Sequence, residues 1–353
     1  MAAHSEQIAR LRTSYQEELA DGTDRFFLPR RTGCPWCLGP ELRVKLRTVD
    51  QVQRKPGRFV LDECVSCGHV FQNPRLSQEG LDFYYRDFYD GLGAETTARM
   101  FEGRGSVRRF QHSVRALLPH IRPHRWLDVG TAHGHFPASA KKLLPQTRFD
   151  GLDMGESVLL AERQGRITEA HQGQLTELAD TMADRYDTVS MFHYLEHTLD
   201  PHSELAAART ALRPGGHLLI EVPDPESLSG RLLGNLWMPW FQPQHLNFIP
   251  LSNLCDRLTG LGFTVVAAER TDAHIPVDLV CATWFLLGRV LPPDDVPWAN
   301  RPGRAARAAR WALVWAAVPF LLAAYGADLL LNPLLRRSRF SNAYRVIARR
   351  DTH

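Results

Sequence analysis

The sequence carries almost no surplus of either charge. Lys and Arg exceed Asp and Glu by three over 353 residues. So small an excess gives no field able to hold a phosphate backbone, and no nucleic-acid partner is expected. Met1 to Glu18 lacks an apolar run. That excludes a secretory signal within the stretch and makes the cytoplasm the expected location. Cysteine is scarce: there are six, and four of them form two C-x-x-C pairs. In a chain without an export signal, this arrangement argues for metal ligation over disulfides. The remaining composition, 44% hydrophobic and 23% charged, is ordinary, and 353 residues suffice for a large core and two domains.

The pairs are Cys34-Pro35-Trp36-Cys37 and Cys64-Val65-Ser66-Cys67, with positions 38–63 between them. Leu42 to Val49 and Gly57 to Leu61 supply strands for a hairpin. Four thiolates in two tight knuckles suit tetrahedral Zn²⁺, and Gly68 lets the backbone fold beneath the ion. Such a site is closed, so the expected role of Cys34, Cys37, Cys64 and Cys67 is structural. An amphipathic helix is expected over Ser5 to Ala20, with Ile8, Leu11, Tyr15 and Leu19 on one side. After the knuckles, an aromatic helix carries Leu81, Phe83, Tyr84, Tyr85, Phe88 and Tyr89. It reads as core, with a lid or substrate wall as the other role. A further helix is expected over Arg99 to Leu118.

The chain is organised around Arg125-Trp126-Leu127-Asp128-Val129-Gly130-Thr131-Ala132-His133-Gly134-His135-Phe136. An apolar strand ends in an acid, the glycines permit a sharp turn, and a helix begins. Amides at that helix start favour an anionic or carboxylate ligand. A dinucleotide site would read G-x-G-x-x-G, and here Ala132 stands where a middle glycine could sit. The next strand, Thr147 to Asp153, ends in an acid able to accept both hydroxyls of a ribose. Asp153 with Ser157 also reads as a flank to a helix over Glu156 to Gln164.

The loop resembles the first motif of the class I S-adenosylmethionine (SAM) methyltransferases, acid-x-Gly-x-Gly-x-Gly. Downstream, the strand Arg185 to Phe192, then Leu195-Glu196-His197, Asp200-Pro201, a helix, Arg213-Pro214-Gly215-Gly216 and the strand His217 to Pro223 are similar to a widespread pattern of the same family. Together with the cysteine pairs, they resemble bacterial methyltransferases that include sugar C-methyltransferases. The resemblance implies an α/β fold: a Rossmann-like sheet of order 3-2-1-4-5-7-6 with a small N-terminal zinc ribbon. It also implies a SAM site of Asp128, Gly130, Thr131, Ala132, Gly134, Asp153, Met154, Gln174, Phe192 and His193. In the family an acid often stands at the position of Gln174, whose carbonyl can accept the same hydrogen bond. The implied reaction is methyl transfer to a small-molecule acceptor: a sugar, a secondary metabolite or a lipid-like molecule. The alternatives are a non-catalytic SAM-binding module that uses the ribbon to hold a partner, and an NAD-type oxidoreductase.

Transfer to a hydroxyl or an acidic C–H needs a base, and histidine suits neutral pH. His193, His197 and His245 lie in loops after strands. His245, in the aromatic stretch Asn235 to Phe248, is the first candidate for catalysis and His193 the second. His133 and His135 are expected to pack or cap. His193-Tyr194-Leu195-Glu196-His197 also matches H-x-x-E-H, an inverted zinc-protease motif. That chemistry needs a helix, whereas this motif follows an apolar strand.

The segments fall at 1–33, 34–76, 77–120, 121–270, 271–341 and 342–353. They are an N-terminal helix, the ribbon, a helical connector, the SAM-binding core, an apolar helical insertion and the last core strand. Within the insertion, Val277 to Leu291 and Trp311 to Leu331 read as apolar helices. The second is long enough to span a membrane, but the strand Ala343 to Ala348 must return to the sheet, which one crossing forbids. The roles open to the insertion are substrate pocket, homodimer surface and peripheral membrane contact.

Overall fold

The computed structural model of the protein describes residues 2–88 and 104–352. Tyr89 of the expected aromatic helix, and Arg99 to Gly103 of the helix after it, lie outside them. Two sheets form the frame. The smaller is antiparallel and begins with β1 (Leu42–Thr48), β2 (Phe59–Cys64) and β3 (Val70–Gln72). The larger has seven strands: β4 (Arg125–Val129), β5 (Arg148–Asp153), β6 (Ala170–Gln172), β7 (Tyr186–Phe192), β8 (Leu212–Pro223), β10 (Phe263–Glu269) and β11 (Ala343–Arg350). Their order is β10-β11-β8-β7-β4-β5-β6. Counted along this sheet alone, it is the expected 3-2-1-4-5-7-6. Only β11 runs antiparallel to its neighbours.

The central strands β4, β7 and β8 are buried along most of their length because helices cover both faces. Leu127, Val129, Val189, Met191, Leu218 and Ile220 meet Leu205, Ala208, Leu254 and Leu258 in one core. On the other face Trp126, Phe149, Leu219 and Ile347 meet Phe110, Val114 and Phe136. The helix Pro201–Ala211 starts where the sequence marks it. Asp200 caps it by accepting from the amides of His202 and Ser203, and Pro201 takes a position whose N–H is not needed.

Several boundaries differ from expectation for local reasons. Strand β2 continues past Leu61 into Cys64, because pairing with β1 carries on to Leu42. The Arg213–Gly216 stretch keeps its turn inside the span of β8: Leu212 pairs with Tyr186 and His217 with Thr188, so the four residues between bulge out of the ladder, with Gly215 at φ +78°. Strand β6 begins at Ala170, and Ile167 ahead of it packs with Val158 and Ala161. The helix Leu251–Gly260 follows Pro250 with no side-chain cap.

The aromatic helix spans Gln78–Tyr85, capped by Ser77 Oγ. Phe83 and Tyr84 are fully buried among Tyr15, Phe26 and Phe59, which is the core role. One pairing has no precedent in the sequence signals. Strand β9 (Asn247–Phe248) comes from the aromatic stretch after β8, yet it pairs with β3 and completes the small sheet. Between β10 and β11 stands the helical insertion, Asp278–Gly288 and Arg304–Leu335.

Candidate active site

The residues expected to bind SAM gather at the C-terminal edge of the large sheet, where open α/β sheets take ligands. Asp128 ends β4 and is buried. Ser190 Oγ, directly opposite on β7, donates to its Oδ1 at 2.6 Å, and Trp126 Nε1 donates to Ser190 Oγ at 2.8 Å. Burial pushes the Asp128 carboxyl up to about 7, against the pull of the Ser190 hydrogen bond. Gly130 turns with φ +73°, and a Cβ there would lie 2.8 Å from the Tyr194 ring. Ala132 holds φ +46°, an unusual conformation for a residue with a side chain.

The turn closes on itself. The amides of Gly130 and Thr131 donate to Leu152 O at 2.8 and 3.1 Å, and that of Gly134 to Thr131 O at 2.8 Å. The Ala132 amide donates to Asp153 Oδ2 at 2.9 Å. These four turn amides are thus engaged within the protein; the helix that follows begins at His135. A pyrophosphate would need such donors; a nucleoside without phosphate does not. Asp153 accepts the Gly155 amide on its other oxygen at 2.8 Å. Each carboxylate oxygen has two lone pairs, so both keep capacity for a ribose diol. Burial raises the Asp153 carboxyl above its ordinary range, opposed by these backbone hydrogen bonds.

The other expected members sit around this turn. Met154 is exposed beside Asp153. Gln174 is exposed and its Nε2 donates to Glu177 Oε1 at 3.2 Å. Phe192 ends β7 and packs on Phe136, centroids 4.5 Å apart. His133 and His135 lie together beside Arg166, which donates to His133 O, consistent with packing.

The loop after β7 brings a second group together. His193 has φ +49°, its amide donates to Glu221 O at 2.8 Å, and its Nδ1 lies 3.0 Å from Glu196 Oε1. Its Nε2 is buried with no partner among the described residues. Glu196 is buried; burial raises its carboxyl, but the His193 hydrogen bond and the nearby imidazoles prevail and hold it below its ordinary value. His197 Nδ1 meets Gln244 O at 3.0 Å, and Tyr85 Oη lies 3.3 Å from the same nitrogen. His245 Nδ1 meets Pro239 O at 2.9 Å, and its ring stands edge-on to His197 at 4.6 Å. Burial pushes the His245 imidazole down to about 3, so it is a neutral, weak base. Of the two candidate bases, the geometry favours His193. The H-x-x-E-H run lies on the end of β7 and a single 3₁₀ turn, Leu195–His197, which is not the helix a zinc protease requires.

Three side-chain groups among the described residues have metal-ligand composition. Cys34, Cys37, Cys64 and Cys67 bring four sulfurs within 4.8 Å of one another. Cys34 and Cys67 are 3.7 Å apart, and Cys37 and Cys64 3.5 Å. Glu196, His197 and His245 converge within the same limit at the edge of the candidate active site. The third group, Asp150, Glu169 and His171, is wrapped by Arg125, Arg148 and Arg185 and forms an ion-pair network.

Sequence reasoning missed the supports. Glu221 is buried in β8, where Arg345 of β11 donates at 2.8 Å and Ser113 at 2.6 Å. The available signal was a lone acid in an apolar strand and a lone arginine in another. Ser190 gave a similar signal, a hydroxyl in the middle of β7.

Residues 100–268 match the family model described as a methyltransferase domain. Two similar curated proteins are both named ubiquinone biosynthesis O-methyltransferase. That of Aeromonas salmonicida (strain A449) is 30% identical over 142 residues, 37% of this chain and 59% of its own. That of Acinetobacter baumannii (strain AYE) is 29% identical over 160 residues, 42% of this chain and 66% of its own. The chain thus spans about 59–66% of these relatives' length. Among solved structures, a SAM-dependent methyltransferase from Archaeoglobus fulgidus is 19% identical, with a TM-score of 0.46, covering 73% of this chain and 99% of that one. The matched stretch begins ahead of β4 and ends within β10, so it takes in most of the large sheet, and residues 100–268 are a methyltransferase domain by that match.

Proposed function

We propose that the protein transfers a methyl group from SAM to a hydroxyl of a small molecule with an apolar portion. The observation that carries this reading is the self-closed turn against Asp153. It leaves a ribose acceptor at the edge of the sheet, with the turn's own amides already engaged. When bound there, SAM supplies an electrophilic methyl carbon on sulfur. The protein's part is positioning, which lowers the barrier of an in-line displacement. His193 would take the acceptor's proton on Nε2 as the acceptor oxygen gains the methyl group and the methyl–sulfur bond breaks, with S-adenosylhomocysteine as the leaving group. Glu196 holds the other ring nitrogen, fixing the tautomer and offsetting the charge that develops. Tyr194 and Phe192 shape the wall between turn and base.

The acceptor side is aromatic. Trp237, Trp240 and Phe248 pack together, and Phe241 meets Phe88 at 5.3 Å. Trp237, Trp240, Phe241 and Phe248 are themselves buried; an acceptor lodged beside so apolar a stretch is better a ring or an alkyl chain than a bare sugar. The relatives' names support a hydroxyl as the methyl acceptor.

Zn²⁺ fits the four cysteines. With bonds of about 2.3 Å, a tetrahedral ion separates its sulfurs by about 3.8 Å, close to the distances present. With four sulfurs bound, the ion has no open position, and its contribution is stability of the small sheet.

Calorimetric titration with SAM and S-adenosylhomocysteine tests the reading. The expectation is micromolar binding of both, weakened about tenfold or more by Asp153→Ala. No binding of either would overturn it. For the metal, chelation is expected to lower the melting temperature, with zinc restoring it; an unchanged melt refutes the assignment.

A further inference from the structure

The helix Arg304–Leu335 has 32 residues and lies between β10 and β11 in the chain. From Trp311 to Leu335 its only charged residue is Asp328, which is also its only buried one. Asp328 faces inward for a reason. Its carboxylate accepts the amides of Leu279 and Val280 at 3.0 and 2.9 Å, capping the neighbouring helix Asp278–Gly288. The large apolar side chains face outward: Trp315 is 68% exposed, Phe320 70% and Leu330 82%. Trp311, Leu322 and Leu334 are similarly open. Scattered apolar residues are normal on a soluble surface, but a continuous face of this size marks a contact with something else.

The ends of the helix restrict what that contact is. At about 1.5 Å per residue, the apolar part is long enough to cross the roughly 30 Å hydrocarbon layer of a bilayer. Yet both ends are fastened to the same folded body. Arg310 donates to Pro292 O at 2.9 Å and to Asp294 at 2.7 Å. Arg336 donates to Asp272 at 2.5 Å, and the chain then enters β11 inside the sheet. A crossing would place these ends on opposite sides. The helix therefore lies along the body with its apolar face outward.

Charge distinguishes the remaining partners. Exposed Arg301 and Arg304 stand at one end, and exposed Arg337 and Arg339 at the other. A second copy paired along this face, parallel or antiparallel, brings arginines against arginines, which repel. An anionic lipid surface satisfies both ends at once. The guanidinium groups meet phosphates while the apolar face between them sinks below the headgroups.

We propose that Arg304–Leu335 is a membrane-docking face that lies in the plane of an anionic lipid surface. The short helix behind it places Phe285 beside Trp237, Trp240 and Phe241 of the aromatic stretch. Docking therefore sets that stretch one helix away from the lipid. The docking itself does not depend on the proposed reaction.

The full-length protein is mixed with sucrose-loaded vesicles of equal parts phosphatidylglycerol and phosphatidylcholine, or of phosphatidylcholine alone, and sedimented. Light scattering without lipid reports the oligomeric state. The expected result is co-sedimentation with the anionic vesicles, about tenfold weaker on neutral ones or in high salt. A triple variant, Trp315→Glu, Phe320→Glu and Leu330→Glu, is expected to reduce binding by about tenfold or more. Its melting temperature should hold, because those side chains do not face the body. Should the triple variant unfold, Leu330→Glu alone reads the same face. Failure to bind either vesicle overturns the proposal. So does a dimer that the triple variant converts to a monomer without any lipid-bound protein, which would assign the face to a second copy.

Discussion

Two regions of this molecule invert the usual rule of burial, in opposite directions. Along Arg304–Leu335, large apolar side chains face outward and the one acid is hidden. At the C-terminal edge of the large sheet, Asp128, Glu196, Glu221 and His245 are buried within an apolar core. Each inversion opposes stability taken alone, and each is the informative kind of departure. The first needs a partner outside the molecule. The second needs partners inside it, and there the hydrogen bonds are present: Ser190 on Asp128, His193 on Glu196, Arg345 on Glu221. The comparison teaches that polar groups at the sheet edge are held in place by one another, whereas the apolar helix is held by its ends and by Asp328, with its large side chains left outside.

Substitutions should separate the two regions. Arg345→Leu is expected to have the largest effect on folding. It leaves the Glu221 carboxylate buried without its main partner, a loss of about 3–5 kcal/mol, read from chemical denaturation. His193→Gln should lower turnover by about 10²-fold or more, with a much smaller change in SAM affinity by calorimetry, since Gln keeps a polar group at the edge of the pocket. Loss of both would make His193 a structural residue and break the assignment. A pH series sharpens the same region. His245 stays neutral in the fold down to about 3, while the unfolded chain protonates near the ordinary histidine value of about 6.5. The folded state therefore binds fewer protons in that window. The stability linked to His245 is present above about pH 6.5 and is lost as pH falls toward 3. Denaturation at about pH 7 and about pH 4 should show a smaller drop for His245→Gln than for the parent. The smallest effect belongs to the other region. Leu330→Ser should change stability by no more than about 0.5 kcal/mol. A loss of several kcal/mol there would mean that the face is already covered, and the comparison would fail.

Much of the large sheet was legible because its signals are local. The acid-ended strand, the glycine turn and Asp200-Pro201 each specify a backbone event within a few residues. The four cysteines were legible because ligand spacing in sequence reflects ligand spacing around an ion. The candidate base was harder. His193, Glu196, His197 and His245 converge through the path of the chain between β7 and β9, and sequence offers no measure of which ring nitrogen ends up buried and open. His245 looked favourable for its aromatic setting, and that same setting withdraws it from water and weakens it as a base. The pairing of Glu221 with Arg345 was illegible for another reason: 124 positions separate them, and only the antiparallel register of β8 and β11 brings them together.

The two-residue strand β9 has a consequence for how this chain is inherited. Asn247 and Phe248 belong by sequence to the methyltransferase segment and by hydrogen bonding to the cysteine-bearing sheet. Neither part is a cassette that can be cut out at a linker. A gene that acquired residues 34–76 by recombination would gain a sheet without its fourth strand, and one that lost them would leave the stretch after β8 with a bare edge. The two sheets are therefore expected to have changed together, as a single unit of descent.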